Sequence, residues 1–205
     1  MRKLIRKLSD MRGISGFEYR LTDQIADMFK KYCDDVKIDS LGSVIAVKRS
    51  NKPNAPKLMI EAHCDEIGLI VTSITDEGYL TFANVGGVDE RTLPSTEVTV
   101  HGKEDLWGVI GIKPNYLLEQ EKTAKLKELA VDTGLSAEKV KEIVAVGDSI
   151  TLAQSVGRLG KKQFSGKSLD DRASVAAIMR VMKNIKDLDI DIDVYAVAAV
   201  QEEVG

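Results

Sequence analysis

Residues 190–200 constrain the fold of this chain more than any other stretch. Apart from Asp191 and Asp193 near its start, the run carries no charge on either face. A half-buried strand alternates apolar with polar positions, and a surface helix keeps a polar stripe; this segment does neither. It reads as a strand buried inside a sheet that is covered on both sides. Such a strand needs neighbours and covering helices, which makes the chain α/β. The run closes on Gln201-Glu202-Glu203, just before the last residue, Gly205. The fold is therefore expected to continue beyond this point.

The rest of the sequence supplies partners for that strand. Leu4, Ile5, Leu8 and Met11 have helical spacing, as do Leu21, Ile25, Met28 and Phe29. Ser15 and Glu18, three apart ahead of the second stripe, match a capping box. Residues 36–38 and 44–47, with Leu41-Gly42 between them, read as a hairpin, and residues 57–62 as a short apolar strand. From residue 67 the texture changes to short β-type runs at 67–74, 79–83, 97–100, 107–112 and 149–152, separated by turn residues. Close spacing of this kind indicates a small sandwich or barrel. Segments 116–131 and 136–144 read as helices within it. Val175, Ile178, Met179, Met182 and Ile185 mark a further helix that begins near Asp171. The expected organisation is thus a catalytic α/β domain formed by residues 1–66 and 161–205, interrupted by a β-rich insert over 67–160.

Composition excludes several classes. With 29 basic and 32 acidic residues among 205, interspersed along the chain, the net charge is −3 and no basic footprint for nucleic acid is visible. Two cysteines, Cys33 and Cys64, are too few for a disulfide framework. No apolar run approaches the ~18 residues of a membrane span. A cytoplasmic protein with neither nucleic-acid nor membrane partners is the expectation.

Three short segments place metal-ligand residue types at the ends of sheet elements, where open α/β sheets bind ligands. In His63-Cys64-Asp65 the histidine and aspartate, two apart at a strand end, project to one side. Cys64 alternates to the other side, as a packed thiol would. Asp170-Asp171-Arg172 stands where a helix begins. Glu202 and Glu203 follow the buried strand, and their mutual repulsion favours a cation between them. Each segment alone has a plainer explanation: a capped strand end, a helix N-cap, a solvated loop. Together, one imidazole and several carboxylates suit a divalent ion such as zinc, cobalt or manganese. Two such ions polarise a carbonyl and activate water, leaving a glutamate free as general base.

Five motifs, in order, resemble the M42 metallo-aminopeptidases, the group of the TET, glutamyl and leucyl aminopeptidases and of relatives once labelled endoglucanases. They are His63-Cys-Asp65, Gly108-Val-Ile-Gly-Ile-Lys-Pro114, Val146-Gly-Asp-Ser-Ile-Thr151, Gly166-Lys-Ser-Leu-Asp-Asp-Arg172 and Val200-Gln-Glu-Glu-Val-Gly205. The resemblance implies an aminopeptidase-type α/β sandwich with a mixed sheet, interrupted by a β-barrel-like dimerisation domain. It implies two divalent metal ions, zinc or cobalt, with His63 and Glu203 as ligands and Asp170 bridging both. Asp65 corresponds to the acidic residue that supports the histidine, and Glu202 to the general base. Two further ligands, an aspartate and a histidine, are implied downstream of Glu203. The activity implied is removal of N-terminal residues from short peptides by a homo-oligomer, from dimer to dodecamer. A catalytically incomplete fragment or an oligomer-forming scaffold is the alternative from another class. Glycoside hydrolysis is the weaker enzyme reading, because adjacent glutamates on one strand are expected to point different ways rather than to face each other across a sugar.

Overall fold

The computed structural model describes residues 1–112 and 125–205. Its chain divides into two compact units, Met1–Glu66 with Ser155–Gly205, and Ile67–Gln154.

The first unit is built on a four-stranded mixed sheet. Strands β1 (Asp35–Ile38) and β2 (Val44–Lys48) form the expected hairpin, β3 spans Lys57–His63, and the last strand of the chain, which we number β12, spans Asp193–Ala199. Their order is β1-β2-β12-β3, so β12 lies inside the sheet, antiparallel to β2 and parallel to β3. Three helices, α1 (Arg2–Ser9), α2 (Tyr19–Phe29) and α4 (Leu169–Ile185), share one hydrophobic core with the sheet. The even-numbered residues of β12, Val194, Ala196 and Ala198, face that core beside Leu21, Ile25, Phe29, Val175, Met179 and Met182. Small alanines at the sheet centre let the bulkier helix residues interdigitate, as close packing demands. Coverage of the opposite face is uneven: Val197 is buried, yet Met59, two strand positions before Glu61, which pairs with Val197, is 64% exposed. A short hairpin of β10 (Gly157–Leu159) and β11 (Gln163–Ser165) completes the unit. The sequence carries no strand signal there, since five of its six residues are exposed and nothing alternates.

The second unit is a closed six-stranded barrel, in the order β4-β5-β8-β7-β6-β9. The strands are β4 (Gly68–Ile74), β5 (Leu80–Val85), β6 (Glu97–His101), β7 (Asp105–Ile112), β8 (Leu129–Asp132) and β9 (Ser149–Leu152), with helix α3 (Ala137–Ile143) between the last two. Alternate residues fill its interior: Leu69 and Val71, Leu80 and Phe82, Val98 and Val100, Leu129 and Val131. Gly108 of β7 admits the neighbouring strand, because a Cβ there would stand 2.6 Å from Val131 Cγ1 and 3.0 Å from the Asp132 carbonyl. The helix expected over 116–131 falls largely outside the described residues, as do Lys113 and Pro114. Its described end is corrected: a 3₁₀ turn at Leu126–Glu128 leads into β8. Ladder pairing with β7 and burial of Leu129 and Val131 override the helical propensity of that leucine-, lysine- and glutamate-rich stretch. No helix among the described residues is long and apolar enough to cross a membrane.

One buried cation holds the first unit's ends together. Arg172, at the start of α4, is 0% exposed. Its Nε donates to the Cys64 carbonyl at 2.7 Å, and its terminal nitrogens donate to the carbonyls of Leu8, Met11 and Gly13. Glu66 Oε1 balances the charge at 3.3 Å, and Glu66 Oε2 accepts from Lys167 Nζ at 2.6 Å and from the Ser168 hydroxyl. Burial pushes the Lys167 ammonium below its ordinary pKa, against the pull of Glu66. The segment after α1, the end of β3 and the start of α4 thereby become one rigid node. Arg172→Met should leave the carbonyls of Cys64, Leu8, Met11 and Gly13 without these donors and Glu66 with Lys167 as its remaining counter-charge, costing about 3–5 kcal/mol of stability. Urea unfolding followed by circular dichroism measures it; a loss below about 1 kcal/mol, the scale of a surface ion pair, would contradict this role.

Candidate metal centre

The parallel register of β3 and β12 places Ala199 level with His63, and the Cys64 N–H donates to the Ala199 carbonyl at 2.8 Å. Both strands therefore end at the same place. His63 is 8% exposed there, and Asp65, two residues further, is fully buried. Cys64 points the other way into the helix core, where burial raises its thiol pKa to about 12 and keeps it protonated. It is packing, not a ligand.

Beyond β12 the chain turns sharply. Gln201 adopts φ 61°, in the left-handed region, and Glu202–Val204 forms a 3₁₀ turn. The N–H of Glu202 donates to Asp65 Oδ1 at 3.2 Å, and that of Glu203 to Asp65 Oδ2 at 3.1 Å. Ser15 Oγ adds a third bond to Asp65, at 2.6 Å. Asp65 thus grips the backbone of the glutamate turn. Its Oδ1 lies 3.4 Å from His63 Nδ1, but that nitrogen makes no hydrogen bond.

The aspartate pair at α4 divides its labour. Asp171 caps the helix, accepting from the Ser174 N–H at 3.2 Å, as helix starts favour. Asp170 and Asp171 keep non-helical φ/ψ, which frees Asp170 to reach His63 Nε2 at 3.1 Å. Glu202 Oε2 stands 3.8 Å from the same nitrogen. The two glutamates converge rather than diverge, because they leave a 3₁₀ turn and not an extended strand. One ligand atom from each of His63, Glu202 and Glu203 lies within 4.8 Å of the others. Of the sequence-predicted residues, the structure brings His63, Asp170, Glu202 and Glu203 together, with Asp65 beneath them.

Negative charge dominates the electrostatics around His63. Burial opposes protonation of His63, yet the hydrogen bond to Asp170 and the charges of Asp65 and Glu202 outweigh it and raise the imidazole pKa. Burial raises the Glu203 carboxyl, and the neighbouring carboxylates add to the rise. The carboxylates of Asp170 and Glu202 meet His63 at Nε2, with Glu203 close by, while its buried Nδ1, on the Asp65 side, makes no hydrogen bond. Nitrogen and oxygen donors in this arrangement fit zinc, cobalt or manganese. Asp170 is 91% exposed and Glu202 60%, so the donor atoms meet solvent. His101 lies in the barrel unit, bonded to Asp105 and Thr151. Sequence reasoning missed Ser15 and Glu18. Glu18 Oε1 accepts the Gln201 N–H at 3.0 Å, and neither residue makes a capping bond at α2, so the capping-box reading is corrected.

Known proteins share this arrangement's frame. The chain is 35% identical to the lysyl aminopeptidase of Pyrococcus furiosus, over 99% of this chain and 60% of that one. It superposes on an aminopeptidase from the archaeon Desulfurococcus kamchatkensis with a TM-score of 0.92 and 38% identity, covering 99% of this chain and 56% of the other. The TET1 peptidase of Pyrococcus horikoshii gives a TM-score of 0.88 at 35% identity, over 100% and 62% of the two chains. This chain thus spans about 60% of the length of the curated relatives it matches. Residues 42–205 match the M42 glutamyl aminopeptidases, and the chain belongs to that family.

Proposed function

We propose that the protein is a metal-dependent aminopeptidase that removes N-terminal residues from short peptides. The observation that carries this reading is the convergence of His63, Glu202 and Glu203, with Asp170 against the same imidazole. The family supports it, since the similar proteins from P. furiosus and D. kamchatkensis are both aminopeptidases.

In this reading His63, Glu203 and Asp170 would hold divalent ions, zinc or cobalt. A bound cation there supplies Lewis acidity, polarising the scissile carbonyl and making water a nucleophile at neutral pH. The proton chemistry falls to Glu202. Its carboxylate is mostly exposed, beside the donor cluster, and its backbone is fixed by Asp65. It accepts the proton of the attacking water and returns it to the departing amine, the two halves of general acid–base catalysis. Asp65 is buried and bonded on both oxygens, so it acts by holding the turn that carries Glu202 and Glu203.

Assembly is part of the proposal. The P. horikoshii relative assembles into a tetrahedron or a large octahedral shell. We assign this protein to a homo-oligomer whose dimer contact uses the barrel unit, in the cytoplasm.

Two outcomes test the chemistry in the complete polypeptide as its source makes it. A chelator should abolish hydrolysis of an aminoacyl anilide, and added zinc or cobalt should restore it. Glu202→Gln should retain metal by elemental analysis while kcat falls by about 10²–10⁴-fold, the range of a lost general base. Activity surviving either treatment would sink the mechanism. Removing a donor should act differently: His63→Ala is expected to weaken metal binding, read by calorimetry, by roughly 100-fold or more, exceeding the effect of losing an outer partner.

A further inference from the structure

Three successive backbone N–H groups at the end of β12 are each taken by a buried carboxylate. Gln201 donates to Glu18 Oε1 at 3.0 Å, Glu202 to Asp65 Oδ1 at 3.2 Å and Glu203 to Asp65 Oδ2 at 3.1 Å. Glu18 and Ser15 are each 5% exposed, and Asp65 is 0% exposed. Buried carboxylates are rare unless something satisfies them, and here the satisfying donors belong to the turn that carries Glu202 and Glu203.

The segment that supplies Ser15 and Glu18 is itself fixed. Ile14 bridges to Glu66 in parallel, the Ser15 N–H donates to the Glu66 carbonyl, and the Glu66 N–H donates to the Gly13 carbonyl. Held against this stretch, the Ser15 hydroxyl reaches back to Asp65 and donates to Oδ2 at 2.6 Å. That oxygen also accepts from Glu203, so the hydroxyl sets how the carboxylate is turned toward the peptide it holds. Gln201 needs such restraint: its φ of 61° lies where a residue with a Cβ seldom rests. Positions of this kind persist when their surroundings over-determine them.

We infer that Ser15 and Glu18 are positioning residues for the candidate metal centre, clamping the Gln201-Glu202-Glu203 backbone so that both glutamate side chains converge on His63. The inference rests on the functional reading above for its kinetic consequence, though not for the clamp. Ser15 and Glu18 act through Asp65 and through the turn, and neither is a ligand. Removing the Glu18 carboxylate frees the Gln201 amide, and removing the Ser15 hydroxyl lets the Asp65 carboxylate turn on the two glutamate amides; either change lets the turn relax away from its left-handed start.

The test uses the complete polypeptide and three variants: Glu18→Met, which keeps size but loses the acceptor, Glu18→Gln, which keeps an oxygen acceptor, and Ser15→Ala. Hydrogen exchange read by mass spectrometry on a peptide covering residues 201–203 should speed up by about tenfold or more in Glu18→Met and Ser15→Ala, the scale of one buried hydrogen bond lost. Exchange in β6 and β7 should not change. With an aminoacyl anilide, kcat should fall by about tenfold or more in the same two variants while KM moves less than about threefold, since the turn carries the general base rather than a substrate pocket. Glu18→Gln should stay within about threefold of the unaltered protein in both measurements, because a neutral acceptor still bonds the Gln201 N–H.

Unaltered exchange at residues 201–203 in Glu18→Met and Ser15→Ala overturns the clamp, as does equal loss in Glu18→Gln and Glu18→Met. If Glu18→Met loses protection throughout and does not fold, Ser15→Ala decides by the same criterion. An unaltered protein without peptidase activity, whose variants still speed up exchange at residues 201–203, overturns the aminopeptidase reading and leaves the clamp standing.

Discussion

A single guanidinium organises the first unit. Arg172 sits out of water, and its donors are spent on carbonyls from three separate stretches: the end of α1, the segment after it, and Cys64, between His63 at the end of β3 and Asp65 beyond it. Charge burial of this kind is tolerable only because Glu66 stands opposite and every donor has a defined acceptor. A planar fork suits the task, since lysine could not bond several carbonyl groups in fixed directions. The geometry of His63 and Asp65 follows from it. With the Cys64 carbonyl pinned on one side and its N–H bonded to Ala199 on the other, the residues flanking Cys64 have little freedom to reorient.

The donor cluster above this node is a balance between repulsion and restraint. Asp65, Asp170, Glu202 and Glu203 surround one imidazole, and against its burial the Asp170 hydrogen bond and the charges of Asp65, Glu202 and Asp170 raise the His63 pKa. In the absence of restraint, like charges would spread the turn open. The restraint comes from backbone amides, whose partial positive charge is fixed in direction and cannot be titrated away. Asp65 is the clearest case: it neutralises nothing directly, yet its two oxygens decide where Glu202 and Glu203 begin.

Much of this was legible in residue types and spacing. The uncharged run before Gln201 announced an interior strand, and β12 does lie between two neighbours. The clustering of His63, Asp170, Glu202 and Glu203 followed from their shared place at strand and helix ends. What escaped was set by pairing across long sequence distances. Leu129 and Val131 belong to a strand because β7 waits beside them, and no local pattern records that. The β10–β11 hairpin has no apolar alternation to betray it. Ser15 and Glu18 carried a genuine local signature, but Asp65 and Gln201 outcompete the helix terminus for their side chains. The same competition separates the aspartate pair, where Asp171 takes the cap and Asp170 is left for the imidazole.

The barrel unit, Ile67–Gln154, is inserted between Glu66 and Ser155, both of which belong to the first unit. In polymer terms it is one long closed loop in the chain that joins His63 to Asp170. Closure entropy rises only with the logarithm of loop length, so doubling such an insert costs about 0.6 kcal/mol. A barrel that satisfies its own edges and fills its own interior adds almost nothing to that. The length of the insert therefore bears little on the closure that brings His63 and Asp170 together. Two residues away the tolerance vanishes. One residue added between His63 and Asp65 would send one of them to the opposite face of the strand, which makes this short stretch, rather than the large insert, the part of the chain least able to change length.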